Sequence, residues 1–209
     1  MTEMFGVTED KILWFKIKTG DKSCFNKLFR LYYAQLYYYG IKIDHDTEFV
    51  KECIQEVFIR IWETRENLSD VQNIKSYLLV SLRRKILSEK ERVRKIHIVE
   101  MGPAEKYVFL FDQNEFEKHD EVPDEIRQLL LRALNSLTHK QRELVMLYFY
   151  HELSYSEIAQ IVSISVQAVR NLMYRTLIHL RESLGEKSLD SMKNMIFLVF
   201  LSFSLKKGK

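Results

Sequence analysis

In residues 153–175, LSYSEIAQIVSISVQAVRNLMYR, a short helix and a longer one are written side by side. Ser154 followed three residues later by Glu157 is a capping box, with Leu153 and Ile158 at the two positions of a hydrophobic staple. The spacing predicts a helix over Tyr155–Val162, a break at Ser163–Ser165 and a second helix reaching about Leu184. Ala159 is small where two crossing helices must approach, and Ile158, Val162, Ile164, Val169 and Leu172 are the expected buried contacts of a helix-turn-helix. Ser163 stands where such a turn usually holds Gly, so it must accept a left-handed or strained conformation. The second helix then presents Ser165, Gln167, Ala168, Arg170, Asn171, Tyr174 and Arg175. Those residue types read base edges and hold phosphates: Arg to guanine, Asn or Gln to adenine, a small methyl toward thymine. From Arg170 to Arg181 there are three arginines and no acid. The bland alternative is an ordinary αα-hairpin with a polar face.

Upstream, Ile126, Leu129, Leu130, Ala133, Leu134 and Leu137 make one amphipathic stripe, and Thr138 with Gln141 forms a second capping box. Before that lies a stretch of different character. Val99–Glu125 holds both prolines, Pro103 and Pro123, and nine acidic residues against two basic ones, Lys106 and Lys118. Proline breaks helices and like charges resist compaction, so this stretch reads as an acidic linker, or else as a solvated acidic loop.

The first block is helical as well. Phe25, Leu28, Phe29, Tyr32, Leu36 and Tyr39 recur at spacings of three and four, with Gly40 expected to end the run. Val50, Ile54, Val57 and Ile61 repeat the pattern, and Glu56 with Arg60 reads as an exposed i,i+4 pair. A third helix starts near Asn73, a good N-cap, and carries Ile74, Tyr77, Leu78, Val80, Leu82 and Ile86. Its end is basic: Arg83, Arg84, Lys85, Lys90, Arg92, Arg94 and Lys95 stand against Glu89 and Glu91. That cluster is either a phosphate-binding face or a solvated basic helix. Gln55–Trp62 places Phe58 and Trp62 beside charged Glu56 and Arg60, although Val57 and Ile61 already serve the core. This helix is a protein-docking surface or is buried on two sides.

Composition excludes several classes. In 209 residues, 46% hydrophobic content supports a real core, while six Gly and two Pro are too few for collagen-like or turn-rich β designs. Cys24 and Cys53 cannot form a disulfide scaffold or a four-ligand zinc site, which points to a reducing cytoplasm. The first eleven residues carry Glu3, Glu9 and Asp10 and do not read as a signal peptide. The six histidines are scattered, without a metal or nucleophile motif, so neither a catalytic set nor a metal or cofactor is expected. The apolar run 194–205, at ~18 Å as a helix, is too short for a ~30 Å bilayer core. It is expected to pack on the protein or on a partner rather than to insert stably in a membrane.

The stretches ECIQEVFIRIWE (52–63) and NIKSYL (73–78) resemble the second conserved region of bacterial sigma factors. LNSLTHKQRELVMLYFYHELSYSEIA (134–159) and ISVQAVRNLMYR (164–175) resemble the fourth. The chain is thus similar to the extracytoplasmic-function (ECF) class of RNA polymerase sigma factors, which has no third-region domain. The resemblance implies an all-α fold of two helical domains: a second-region bundle over 8–97, an acidic linker over 98–124 and a fourth-region helix-turn-helix over 125–187. The role of a tail over 188–209 stays open. It further implies that Gln55, Glu56, Phe58, Arg60 and Trp62 dock on core RNA polymerase. By the same resemblance, Asn73, Tyr77, Arg83, Arg84, Lys85, Lys90 and Arg92 engage the minus-ten element of promoter DNA, and the Ser165–Arg175 helix reads the minus-thirty-five element. A cytoplasmic transcription initiation factor, held by an anti-sigma partner, is the expectation. The family often has Asn after Arg in the third helix, where this chain reads Arg83–Arg84. The rival is a free-standing helix-turn-helix regulator with a ligand-sensing N-terminal domain.

Overall fold

The computed structural model describes residues 2–96, 109, 111 and 124–184. The chain divides into two units, Met1–Val108 and Phe109–Lys209. Every regular element among the described residues is helical. In the first unit these are α1 (Thr2–Lys18), α2 (Lys22–Ile43), α3 (Thr47–Glu63), a 3₁₀ turn at Arg65–Asn67 and α4 (Ile74–Ile96). In the second they are α5 (Asp124–Ser136), α6 (His139–Val145), a π turn at Met146–Tyr150, α7 (Tyr155–Val162) and α8 (Val166–Leu184). Most of the expected linker and all of the apolar tail lie outside the described residues.

The first unit is a bundle in which α2 packs on α1, α3 and α4. Asp21 starts α2 by accepting a hydrogen bond from the Cys24 amide at 3.0 Å, and Asp46 starts α3 through the amides of Glu48 and Phe49. Leu28, Leu36, Tyr39, Ile54, Leu78, Leu79, Leu82 and Ile86 form its dry centre. The helix α1 lies upstream of the stripe that the periodicity picks out at Phe25. It buries Leu13, Trp14 and Ile17, and Trp14 Nε1 donates to the Ser69 carbonyl at 3.0 Å. Its end is a Schellman closure. The Gly20 amide donates to Ile17 O and the Asp21 amide to Lys16 O, both at 3.0 Å, with Gly20 at φ 90°.

Gly40 does not end α2. The helix continues to Ile43, and the Asp44 amide closes it on the Gly40 carbonyl at 2.9 Å. A Cβ at Gly40 would lie 2.5 Å from Val50 Cγ1, with Ile86 Cδ1 and Leu82 Cδ2 at 3.6 Å. The glycine is there because α3 and α4 press against that turn. Gly40→Ala is therefore expected to destabilise the unit. Overpacking costs about 1–3 kcal/mol, which outweighs the helix-propensity gain of up to ~1 kcal/mol. Adding Val50→Ala should recover part of the loss. Denaturant midpoints of the two variants check this, and a more stable Gly40→Ala variant would rule out the close approach.

In the second unit both capping boxes form. The Thr138 amide donates to Gln141 Oε1 at 2.9 Å, and the Ser154 amide to Glu157 Oε2 at 2.8 Å, while each hydroxyl oxygen accepts from the partner's amide at 3.4 Å. Leu153 and Ile158 are both buried, as a staple requires. Ser163 takes φ 58° and ψ 46°, the left-handed turn that the missing glycine demands. The core of the helix pair differs in part from the expected set. Ile158 and Val169 are buried, Val162 and Leu172 only partly so, and Ile164 is 39% exposed. Ile164 follows the left-handed residue directly and is carried outward with the turn. Ile161 and Met173 fill the space instead, and the buried stripe of α8 runs Val169, Met173, Thr176, Leu180, Leu184.

Candidate nucleic-acid interface

The stripe that buries α8 leaves its opposite face open. Ser165, Gln167, Arg170, Asn171, Tyr174 and Arg175 are exposed and Ala168 is half-buried. Ser165 Oγ accepts the Ala168 amide at 3.1 Å, so the residue caps the helix as well as facing outward. One turn on, Gln167 Nε2 donates to Asn171 Oδ1 at 3.0 Å, which couples the two amide side chains. Arg175 Nε donates to the Asn171 carbonyl at 3.3 Å, and Tyr174 stands 68% exposed. Two guanidinium groups, two amides, the Ser165 hydroxyl, the Tyr174 phenol and a methyl thus share one helix surface about three turns long, which starts at the positive end of the helix dipole. A major groove admits such a helix.

The basic run of α4 behaves differently. Asn73 uses its Oδ1 to accept the Ser76 amide at 3.1 Å, and Tyr77 is half-buried, edge-on to Trp14 with centroids 5.2 Å apart. Lys85 is bonded to both Glu56 and Glu89, the latter at 2.8 Å. The hydrogen bond to Glu56 first, then that to Glu89, holds its ammonium above the usual lysine range. Lys90 pairs with Asp44 at 2.7 Å and Arg92 with Glu89 at 2.8 Å. Arg94 and Lys95 both lie 3.8 Å from Glu91. Much of the apparent positive patch is therefore neutralised within the unit, while Arg84 is exposed and Arg83 half-buried. Glu56 does not stand as the partner of Arg60 that its spacing predicts. It reaches across to α4.

On α3, Gln55, Glu56 and Arg60 are exposed, but Phe58 is 2% exposed. Its ring meets Phe29 at 4.9 Å and Phe25 at 6.0 Å. Phe58, expected on the docking face, instead lies inside the unit: α3 is buried on two sides, because α2 brings its own aromatic stripe against it. Trp62 is half-buried, between Phe25 at 5.0 Å and the Arg65 guanidinium 4.7 Å from its ring centroid. The apolar residue that does face solvent is Ile59, 54% exposed between Gln55, Glu56 and Arg60.

Among the described residues no group of three or more His, Cys, Asp or Glu is placed to hold a metal ion, and no helix is long and apolar enough to cross a membrane. Of the histidines, His97 and His119 lie outside the described residues.

A two-domain helical chain whose helix-turn-helix leaves arginine, amide and hydroxyl side chains facing solvent on its second helix has an architecture suited to nucleic acid. Comparison with known families gives the particular class. The Sigma-70 region 2 model matches residues 28–96 and the Sigma-70, region 4 model residues 127–180, together more than half the chain. The chain belongs to the sigma-70 family of RNA polymerase sigma factors, as a member of the ECF type. Sigma factors are not a class of enzymes. An RNA polymerase sigma-E factor of Streptomyces antibioticus is 26% identical over 141 residues, covering 68% of this chain and 73% of its own. The RNA polymerase sigma factor YlaC of Bacillus subtilis is 24% identical, covering 75% and 90%. An ECF sigma factor, SigK, of Mycolicibacterium vanbaalenii is 23% identical, covering 79% and 84%. Among solved structures, the sigma factor RpoE of Bartonella quintana, in complex with the anti-sigma factor NepR, aligns with a TM-score of 0.53 at 20% identity over 78% of this chain and 98% of its own. CnrH, in complex with the cytosolic domain of CnrY, aligns with a TM-score of 0.53 at 17% identity over 86% and 99%. These two likenesses concern the fold.

Proposed function

We propose that α8 is the element by which this sigma factor reads the minus-thirty-five sequence, through Gln167, Arg170, Asn171 and Arg175, with Ser165 and Tyr174 on flanking phosphates. The observation that carries this reading is the solvent-facing set on α8, backed by a buried stripe that fixes which face is presented. The first unit, read as 8–97, engages the minus-ten element with Asn73, Tyr77, Arg83, Arg84 and the end of α4. It docks on core polymerase with Gln55, Glu56, Ile59, Arg60 and Trp62. Phe58 supports that face from beneath. The fourth-region domain is read as 125–187, the stretch 98–124 joins the two, and 188–209 forms a tail.

The chain does no covalent chemistry in this reading and works in the cytoplasm. Its work is differential binding: holding the minus-ten strand better when melted biases bound polymerase toward the open state. Flipping a base costs a few kcal/mol, and stacking on aromatic rings returns ~1–3 kcal/mol per base. An anti-sigma factor is a partner in this proposal, because both similar structures are complexes with such proteins or with a partner's cytosolic domain.

Run-off transcription by core polymerase, with and without the chain, tests the reading. Specific transcripts are expected only with it. Arg170→Ala, losing a bidentate base contact worth about 1–3 kcal/mol, should lower initiation roughly tenfold while leaving binding to core polymerase unchanged. Tight, sequence-specific DNA binding by the isolated chain, with no effect on run-off, would instead favour a free-standing regulator.

A further inference from the structure

Phe109 and Phe111 fall inside the acidic stretch that reads as a linker, yet their rings are 0% and 3% exposed. The rings meet edge to face at 5.9 Å. Their backbones are held as firmly. The Phe109 amide donates to His139 Nδ1 at 3.2 Å, and its carbonyl accepts from Arg142 Nη1. The Phe111 amide donates to Asn135 Oδ1 at 3.0 Å, and Asn135 Nδ2 donates back to the Phe111 carbonyl at 2.9 Å. Asn135 thus grips one residue by both its backbone groups, as a neighbouring strand would. All four polar backbone groups of the two phenylalanines are met by side chains of the fourth-region unit, at the end of α5 and on α6. An ordinary solvated linker makes no such arrangement, and the second unit accordingly begins at Phe109.

We infer that Phe109 and Phe111 form a latch on the fourth-region domain, and that Asn135, His139 and Arg142 are positioning residues for promoter spacing. The inference rests on the sigma-factor reading of α8 and α4. With the latch closed, only the twelve residues 97–108 separate the end of α4 from the second unit. At ~3.3–3.6 Å per residue that chain reaches at most ~45 Å. Opening the latch adds the residues between Phe111 and Asp124 and about doubles the tether. For a chain tether, effective concentration falls roughly as the −3/2 power of length, so doubling lowers it roughly threefold. The latch therefore narrows the range of distances at which both promoter elements can be engaged together.

The test uses the full chain on core polymerase and a promoter mapped from transcript starts in cells overexpressing it. The spacer between the two elements is lengthened or shortened one base pair at a time. Asn135→Ala and, separately, Phe111→Ala are the variants. Amide exchange at residues 109 and 111 reports whether the latch is open, and exchange in α7 and α8 reports whether the domain stays folded. Wild type is expected to show protected amides and a sharp optimum. An opened latch should give a roughly threefold loss at that optimum and a broader spacing profile. Free exchange at 109 and 111 in wild type overturns the latch. An opened variant with the wild-type spacing profile overturns its role. Absence of run-off by wild type at every spacing would take down the sigma-factor reading itself, a result distinct from the other two.

Discussion

Phe58→Ala is expected to cost the first unit about 3–5 kcal/mol, the usual penalty for removing a buried aromatic ring. Ile59→Ala, one residue along, should change stability by less than about 0.5 kcal/mol, as exposed substitutions generally do. The contrast follows from burial. Phe58 is enclosed by Phe25 and Phe29 of α2, while Ile59 faces solvent between Gln55 and Arg60. Binding to core polymerase should reverse the order. Ile59→Asp should weaken binding without lowering the unfolding midpoint, whereas Phe58→Ala should weaken it only as far as the unit unfolds. Thermal unfolding and polymerase affinity measured on the same three variants check both halves. A Phe58→Ala protein that keeps its midpoint but loses polymerase would place that ring outward.

The second large effect is expected at Arg142. Its guanidinium is buried and donates to three carbonyls: Leu137 at 2.8 Å, Asn135 at 3.0 Å and Phe109. It closes the α5–α6 turn and holds Phe109 with the same fork. Burial alone presses its pKa below the usual arginine value, so the charge is kept at some cost and retained by those acceptors. Arg142→Met keeps much of the volume but orphans the carbonyls. At about 1–3 kcal/mol for each acceptor left buried and unmet, with partial relaxation, the loss should be about 3–5 kcal/mol. For a small domain that lowers the midpoint by about 12 °C or more. Arg142→Lys should recover little, since an ammonium lacks the planar fork. Amide exchange should rise in α7 and α8 and stay unchanged in α2 and α3. Equal destabilisation of both sets, or of neither, would contradict this assignment.

Local chemistry is legible in the sequence. Thr138 with Gln141, Ser154 with Glu157, and the left-handed Ser163 all concern groups within three or four residues, so spacing was enough to read them. The same holds for the Asn73 cap and for the solvent-facing set on α8, since one buried stripe on a helix defines the face opposite. Gly40 does not end its helix, and its chemistry is the approach of Val50 from another helix, which no helical spacing records. The basic run of α4 looked barer than it is because Asp44 and Glu56, which neutralise Lys90 and Lys85, lie on other parts of the chain.

The residue order alone therefore determined that this is a two-part helical protein, where several of its helices start, and which face of α8 is left to solvent. Tertiary structure decided which of two neighbouring residues on α3 is core and which is surface, and why a glycine sits in mid-helix. It also decided which cations are already spent on carboxylates, and that two phenylalanines in an acidic stretch belong to the second unit. The division has one physical cause. Capping and periodicity act over a single helical turn, while packing, ion pairing and the grip of Asn135 on Phe111 join residues 10 to more than 50 positions apart.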